Sequence, residues 1–288
     1  MKKRTKVIFF ILIVFVALPL GLSALHKSLT PAVGILEITG PIEDSTDYLD
    51  IIRGFEDNDG VKAVVVRLDS PGGKVGPSQE IYEALLQLKK KKPVVASMSS
   101  VAASGAYYIA CAADPIFALP GTLTGSIGVI LEMFDVTEGM KKLGISASTI
   151  TGGRLKGAGS PFKKMTPEEE RYFLALARDV HGQFKEAVAR SRRIGMDKLD
   201  GYADGRVFSG RQAQSLGLVD KLGGLDSAVE EARKRGGIEG EPRIVKGVPT
   251  RSLKEEVKDA FLSCTPVSLG RGAAHLSRGF LRLEYSIQ

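Results

Sequence analysis

Ser104 stands in Ala102-Ala103-Ser104-Gly105-Ala106, where no residue within two positions is large enough to shield its hydroxyl. At a strand-to-helix junction such a serine meets the steric requirement of a nucleophile elbow, although the Gly-x-Ser-x-Gly form is absent. A serine that merely caps the helix explains the same residues equally well. A nucleophile also needs a base. Of three histidines, His26 follows a hydrophobic run, His275 lies near the C-terminus, and His181 sits beside the helical stripe Phe173, Ala177, Val180, Phe184. In that setting a boundary residue is the commoner role. Lysine is the other candidate, and its pKa of about 10.4 would have to fall by roughly 3 units, which an apolar site can bring about. Lys156, in the Gly-rich segment Gly152–Gly159, has no acid close by in sequence; a solvated loop lysine is the plain alternative. Gly72 and Gly73, after the apolar run ending at Leu68, could present bare backbone N–H groups to a developing oxyanion, or could simply make a turn.

These residues need a scaffold, and the chain supplies one in alternating strand and helix patterns. VGILEI (33–38), KAVVVRL (62–68) and PVVASM (93–98) are strand-length, β-branched runs. Helices are expected over 44–58, over 77–91, briefly after Ser104, and from Pro167 to about Arg193. The last opens with Thr166 as N-cap, Pro167 as first residue and Glu169 closing a capping box. Strands are expected near PIFAL and SIGVILEMF, then a strand, a Ser-capped helix closed by Gly217, and a final core helix in LDSAVEEARKRGG. This rhythm predicts an α/β fold with a largely parallel sheet.

The 288 residues carry a formal charge of +7, but Lys2, Lys3, Arg4 and Lys6 supply four of those charges. The remaining cations are interleaved with acids, which argues against a nucleic-acid partner. Val7 to Leu25 is a run without charge; as a helix at about 1.5 Å per residue it would span roughly 28 Å, close to a bilayer core. The basic flank places residues 1–6 in the cytoplasm and all that follows 7–25 outside. A retained anchor is favoured over a cleaved signal peptide, because the run is long and Leu22-Ser23-Ala24 is a poor cleavage site. Residues 26–32 read as a linker, 33–247 as the folded domain and 248–288 as a mobile tail. Cys111 and Cys264 do not make a disulfide framework, and neither metal-ligand spacing nor a P-loop is present, so no cofactor is implied.

Taken together and in order, LDSPGG, SSVAASGAYYIACAAD, LTGSIGVI, GGRLKGAGSPFKKMTPEE and FSGRQAQSLGLVDKLGG resemble the short, membrane-anchored form of signal peptide peptidase A. The resemblance covers roughly residues 33 to 245 and the N-terminal run. It implies a serine peptidase with a Ser–Lys dyad on the ClpP/crotonase fold, a repeated ββα superhelix, here behind an N-terminal transmembrane helix. It matches Ser104 to the nucleophile, Lys156 to the general base and Ser126 to the serine that orients the lysine. Gly72, Gly73 and Gly105 match the oxyanion-hole positions. It further implies signal-peptide remnants and other membrane-associated or unfolded peptides as substrates. By the same resemblance the assembly is an octamer in which serine and lysine come from neighbouring subunits, and the tail could enter a neighbour's cleft as a self-substrate. Two residues depart from the family pattern: Asp69 stands where asparagine is usual, and Ala106 where glycine is. Asp69 would place a carboxylate near the oxyanion unless it points away. The alternatives are a crotonase-like CoA enzyme, which needs a positioned acid, and an inactive membrane-bound peptide scaffold.

Overall fold

The computed structural model describes residues 30–247 and the backbone of residues 282–285. In chain order the elements are β1 (Ala32–Thr39), α1 (Thr46–Asp57), β2 (Val61–Ser70), β3 (Gly73–Lys74), α2 (Val75–Lys89), β4 (Val94–Ala103) and α3 (Gly105–Ala110). There follow β5 (Ile116–Ala118), β6 (Leu123–Gly125), β7 (Ile130–Glu132), α4 (Thr137–Lys142), α5 (Pro167–Arg192) and α6 (Met196–Asp200). The last are β8 (Val207–Ser209), α7 (Gly210–Leu216), β9 (Lys221–Leu222), α8 (Leu225–Arg235), β10 (Arg243–Gly247) and β11 (Arg282–Tyr285). The expected span 7–25 lies outside the described residues, and no helix among those described is long and apolar enough to cross a membrane.

The main sheet runs β10-β1-β2-β4-β5-β9, all parallel, with β6 added parallel to β4 and β8 antiparallel to β6. Its strands are apolar on both faces because both are covered. Val64, Val66 and Leu68 of β2 join the core with α1, α2, α3 and α5, whereas Ala63 and Val65 point to Ala228 and Ala232 of α8. The sheet is therefore the middle layer of three.

Local signals act as expected at several helix ends. The Glu169 amide donates to Thr166 Oγ1 at 3.3 Å, and the Thr166 amide donates to Glu169 Oε2 at 3.0 Å. Ser209 caps α7 with Gln212 in the same reciprocal way, and Gly217 closes that helix at φ 83°. Three expectations need correction. The helix after β3 starts at Val75, two residues before Pro77, because it continues directly from the turn at Gly72–Gly73. SIGVILEMF is not one strand: its first four residues, opening with Ser126 at φ 51°, lie outside any strand, and only β7 forms within it. The tail read as mobile contains β11, whose backbone pairs antiparallel with β3 and β7 in a separate three-stranded sheet.

Candidate active site

The sheet register brings three of the sequence-flagged segments level. Ser70 on β2 faces Ala102 on β4, so two further residues along each strand reach Gly72 and Ser104. Ala103 faces Gly125 on β6, so one further residue along each reaches Ser104 and Ser126. Neighbouring strands lie about 4.8 Å apart, so the ends of β2, β4 and β6 set the Gly72–Gly73 turn, Ser104 and Ser126 in one row. Thr124, unremarked in the sequence, braces that row: its buried hydroxyl donates to the Ala102 carbonyl at 2.6 Å.

Ser104 is the strained member. It links β4 to α3 at φ 53°, ψ −118°, where a side chain costs about 1–3 kcal/mol unless the surroundings hold it. They do: its amide donates to the Gly125 carbonyl at 2.8 Å, and its carbonyl accepts from the Tyr108 amide at 2.8 Å. Its Oγ is buried and has no hydrogen-bond partner among the described residues, nor does it cap α3. The plain capping role is thereby removed. Behind it, Tyr108 packs between Tyr82 and Phe184, with ring centroids 4.8 and 5.0 Å apart, and the Tyr107 hydroxyl donates to the Leu218 carbonyl at 2.9 Å. These contacts lock α3 against α2 and α5. Cys111 ends the same helix as a free, buried thiol, pushed up to about 12 chiefly by burial, and is packing rather than chemistry.

The glycines divide their work. Gly72 takes φ 103°, and its amide donates to Ser70 Oγ at 3.1 Å. Gly73 has no room for a side chain, since a Cβ would lie 2.2 Å from the Ile42 carbonyl oxygen. Gly105 is the first residue of α3, so its amide is one of the donors that the helix itself cannot satisfy. Asp69 points away from this row. Its Oδ1 accepts from the Val101 amide at 3.2 Å, filling the irregularity in the β2–β4 register. Ala106 is fully buried in the core.

Lys156 is not brought to Ser104. It is exposed in a turn whose amide donates to the Gly153 carbonyl at 3.1 Å, and its side chain makes no hydrogen bond or ion pair among the described residues. His181 lies nearer than its sequence position suggests, with Nε2 3.1 Å from the Ile127 carbonyl, one residue beyond Ser126. That contact requires Nε2 to carry the proton, so this nitrogen is a donor and not a base. No group of His, Cys, Asp and Glu among the described residues is arranged to hold a metal ion.

Residues 86–239 match the model of peptidase family S49, and residues 33–124 match that of Clp protease. The chain belongs to peptidase family S49. It is thus a serine protease on a mixed α/β, ClpP-like sheet. A Synechocystis protein with a provisional protease name is 41% identical over 71% of this chain and 74% of its own length. The chloroplastic serine protease SPPA of Arabidopsis thaliana is 36% identical over 73% of this chain, and protease 4 of Haemophilus influenzae is 35% identical over 73%. The S49 chain spans only about a third of those two relatives, 31% and 35%.

Proposed function

We propose that the chain is a membrane-anchored Ser–Lys endopeptidase that cuts signal-peptide remnants and other membrane-associated or unfolded peptides on the extracytoplasmic side. One observation carries the reading: a serine on strained backbone at a helix N-terminus, its buried hydroxyl left without a partner. Ser104 Oγ attacks the peptide carbonyl and passes its proton to a neutral Lys156 Nζ. The Gly73 and Gly105 amides meet the oxyanion, and Gly72 shapes the turn that presents them. Lys156 then gives the proton to the leaving amine, and water releases the acyl group. Ser126, at the end of the next strand, holds the incoming lysine.

The exposure of Lys156 supports a dyad completed between subunits. The segment around it carries Phe134, Leu143, Ile145, Ile150 and Phe162 exposed, and Ile150 is 98% exposed. A neighbouring copy would cover these side chains and receive the lysine. The pairing of β11 with β3 and β7 supports a cleft that takes an extended peptide by backbone hydrogen bonds, since β3 starts at Gly73.

The test is subunit mixing. Ser104→Ala and Lys156→Ala proteins should each fail to cleave a signal peptide. Co-assembled in equal amounts, they should regain up to about a quarter of wild-type activity, the fraction of interfaces pairing an intact serine with an intact lysine. A dead mixture would place the lysine in the same subunit as its serine, and activity in Lys156→Ala alone would name another base.

A further inference from the structure

The edge of the sheet opposite Ser104 carries a feature that the peptidase reaction does not use. Helices that return between parallel strands run antiparallel to them, so the C-terminal ends of α2 and α8 lie at the edge where the strands begin, and the C-terminal end of α5 lines the same cavity as Lys89. Basic residues favour helix C-termini, and here they gather. Two adjoining cavities of about 410 Å³ each share Lys89 and Asp114, and together they are lined by eight Lys and Arg side chains against two carboxylates, Asp114 and Asp220.

Some of those cations are spent: Arg192 holds Asp220, Lys91 holds Glu56, and Lys92 donates to the Phe55 and Asn58 carbonyls. Lys89, Lys90, Arg190 and Arg193 form no ion pair among the described residues. Helix ends account for Lys89 and Arg190, but Lys90 and Arg193 lie past their helices. Burial, with Arg235 and Arg192 adding to it, holds Lys89 below the usual lysine value against the pull of Asp114. An anion in the groove would relieve that cost.

The same edge is where the chain enters the domain. Ala32 starts β1 and its amide donates to the Gly60 carbonyl, while the Val64 amide bonds Pro93. Two strand spacings, about 10 Å, therefore separate Ala32 from the lysine run. From Leu25, the last residue of the uncharged run, to Ala32 the chain reaches about 25 Å at most. We infer that this basic groove docks on anionic phospholipid headgroups, seating the domain with its strand-beginning edge on the bilayer. The orientation rests on residues 7–25 being an anchor; the charge complementarity does not.

The full chain is reconstituted in neutral phosphatidylcholine vesicles and in vesicles with about 30% phosphatidylglycerol. Amide hydrogen exchange is then read over residues 89–94 and 190–194. Phosphatidylglycerol should slow exchange there about fivefold or more at about 0.1 M salt, and about 0.5 M salt should abolish the difference. Lys90→Glu/Arg193→Glu should lose the slowing while still cleaving peptide. Equal exchange in both lipids, or slowing that survives in the variant, overturns the inference. So does the same slowing by about 10 mM inorganic phosphate in neutral vesicles, which would make the groove a small-anion site. Flotation with neutral vesicles at high salt tests the anchor separately: a chain that does not float refutes the anchor, while phosphatidylglycerol-dependent slowing would still support the groove.

Discussion

Replacing Ser104, the proposed nucleophile, should make this protein more stable. Ser104 holds φ 53°, ψ −118° with a Cβ attached, a conformation worth about 1–3 kcal/mol of strain. Its buried hydroxyl lacks a partner, which costs about 1–3 kcal/mol more. Ser104→Gly removes both, offset by about 0.5–1 kcal/mol of added backbone freedom in the unfolded chain. The net gain is about 1–5 kcal/mol, and in a domain of this size each kcal/mol raises Tm by about 2–4 °C. Ser104→Ala keeps the strain and loses only the hydroxyl, so it should fall between wild type and glycine. The assay is thermal unfolding at matched protein concentration, since the proposed assembly would make Tm depend on concentration, alongside peptide cleavage, which both variants should lack. A Ser104→Gly protein that melts at or below wild type would refute the claim that the elbow is strained.

Two further outcomes follow from the site and its supports. Gly125→Ala places a Cβ 2.7 Å from the Phe208 ring at φ 81°; with overpacking and the left-handed penalty together it should lose about 2–4 kcal/mol. Because the Ser104 amide bonds the Gly125 carbonyl, cleavage should go too, and a variant with wild-type Tm and activity would count against the row of strand ends. Burial raises the Asp220 carboxyl, but hydrogen bonds from Arg192 and the Ile116 amide outweigh it and hold its pKa below the ordinary carboxylate range. Asp220→Asn should cost about 1–3 kcal/mol at neutral pH, discounted because the carboxylate is a third exposed. A depressed carboxylate contributes its stability above the unfolded pKa, near 3.9, and loses it as pH falls through the folded value. Denaturant melts from pH 7 to pH 3 should therefore show the gap between wild type and Asp220→Asn constant down to about pH 5 and narrowing below; a gap that widens in acid would contradict this.

Much of the scaffold was legible because it rests on local chemistry. β-branched runs gave β1, β2 and β4, and Thr166-Pro167 with Glu169 marked the start of α5 to the residue. Its small neighbours left Ser104 open between elbow and helix cap, and only the backbone at φ 53° with an uncapped, buried hydroxyl separates the two. What periodicity could not carry was backbone conformation at single residues: Ser126 takes a positive φ at the head of a strand-like run because the turn is fixed by its amide donating to the Arg206 carbonyl and by the Gly125 carbonyl accepting from the Ser104 amide. Asp69 looked harmful near an oxyanion, and only the β2–β4 register shows it serving the Val101 amide. The strand β11 falls in the alternating stretch Leu281-Arg282-Leu283-Glu284-Tyr285, a strand signal passed over inside the tail read as mobile, and its pairing partners lie about 150–210 residues away in sequence. His181 reached the row of strand ends through the packing of α5, which no local pattern encodes.

The position of β1 has a consequence for how the molecule is made. Its two neighbours are β2, which follows soon in the chain, and β10, whose Arg243 faces Ala32. During synthesis the apolar edge of β1 must wait for about two hundred further residues, and such long-range closure is slow. An unpaired strand edge in that interval is a site for mispairing. A chain stopped before β10 leaves the edge open for good. Completion of the sheet, and the rigid setting it gives the ends of β2 and β4, is thereby tied to delivery of nearly the whole domain, so a half-made protease has no finished site with which to cut its surroundings.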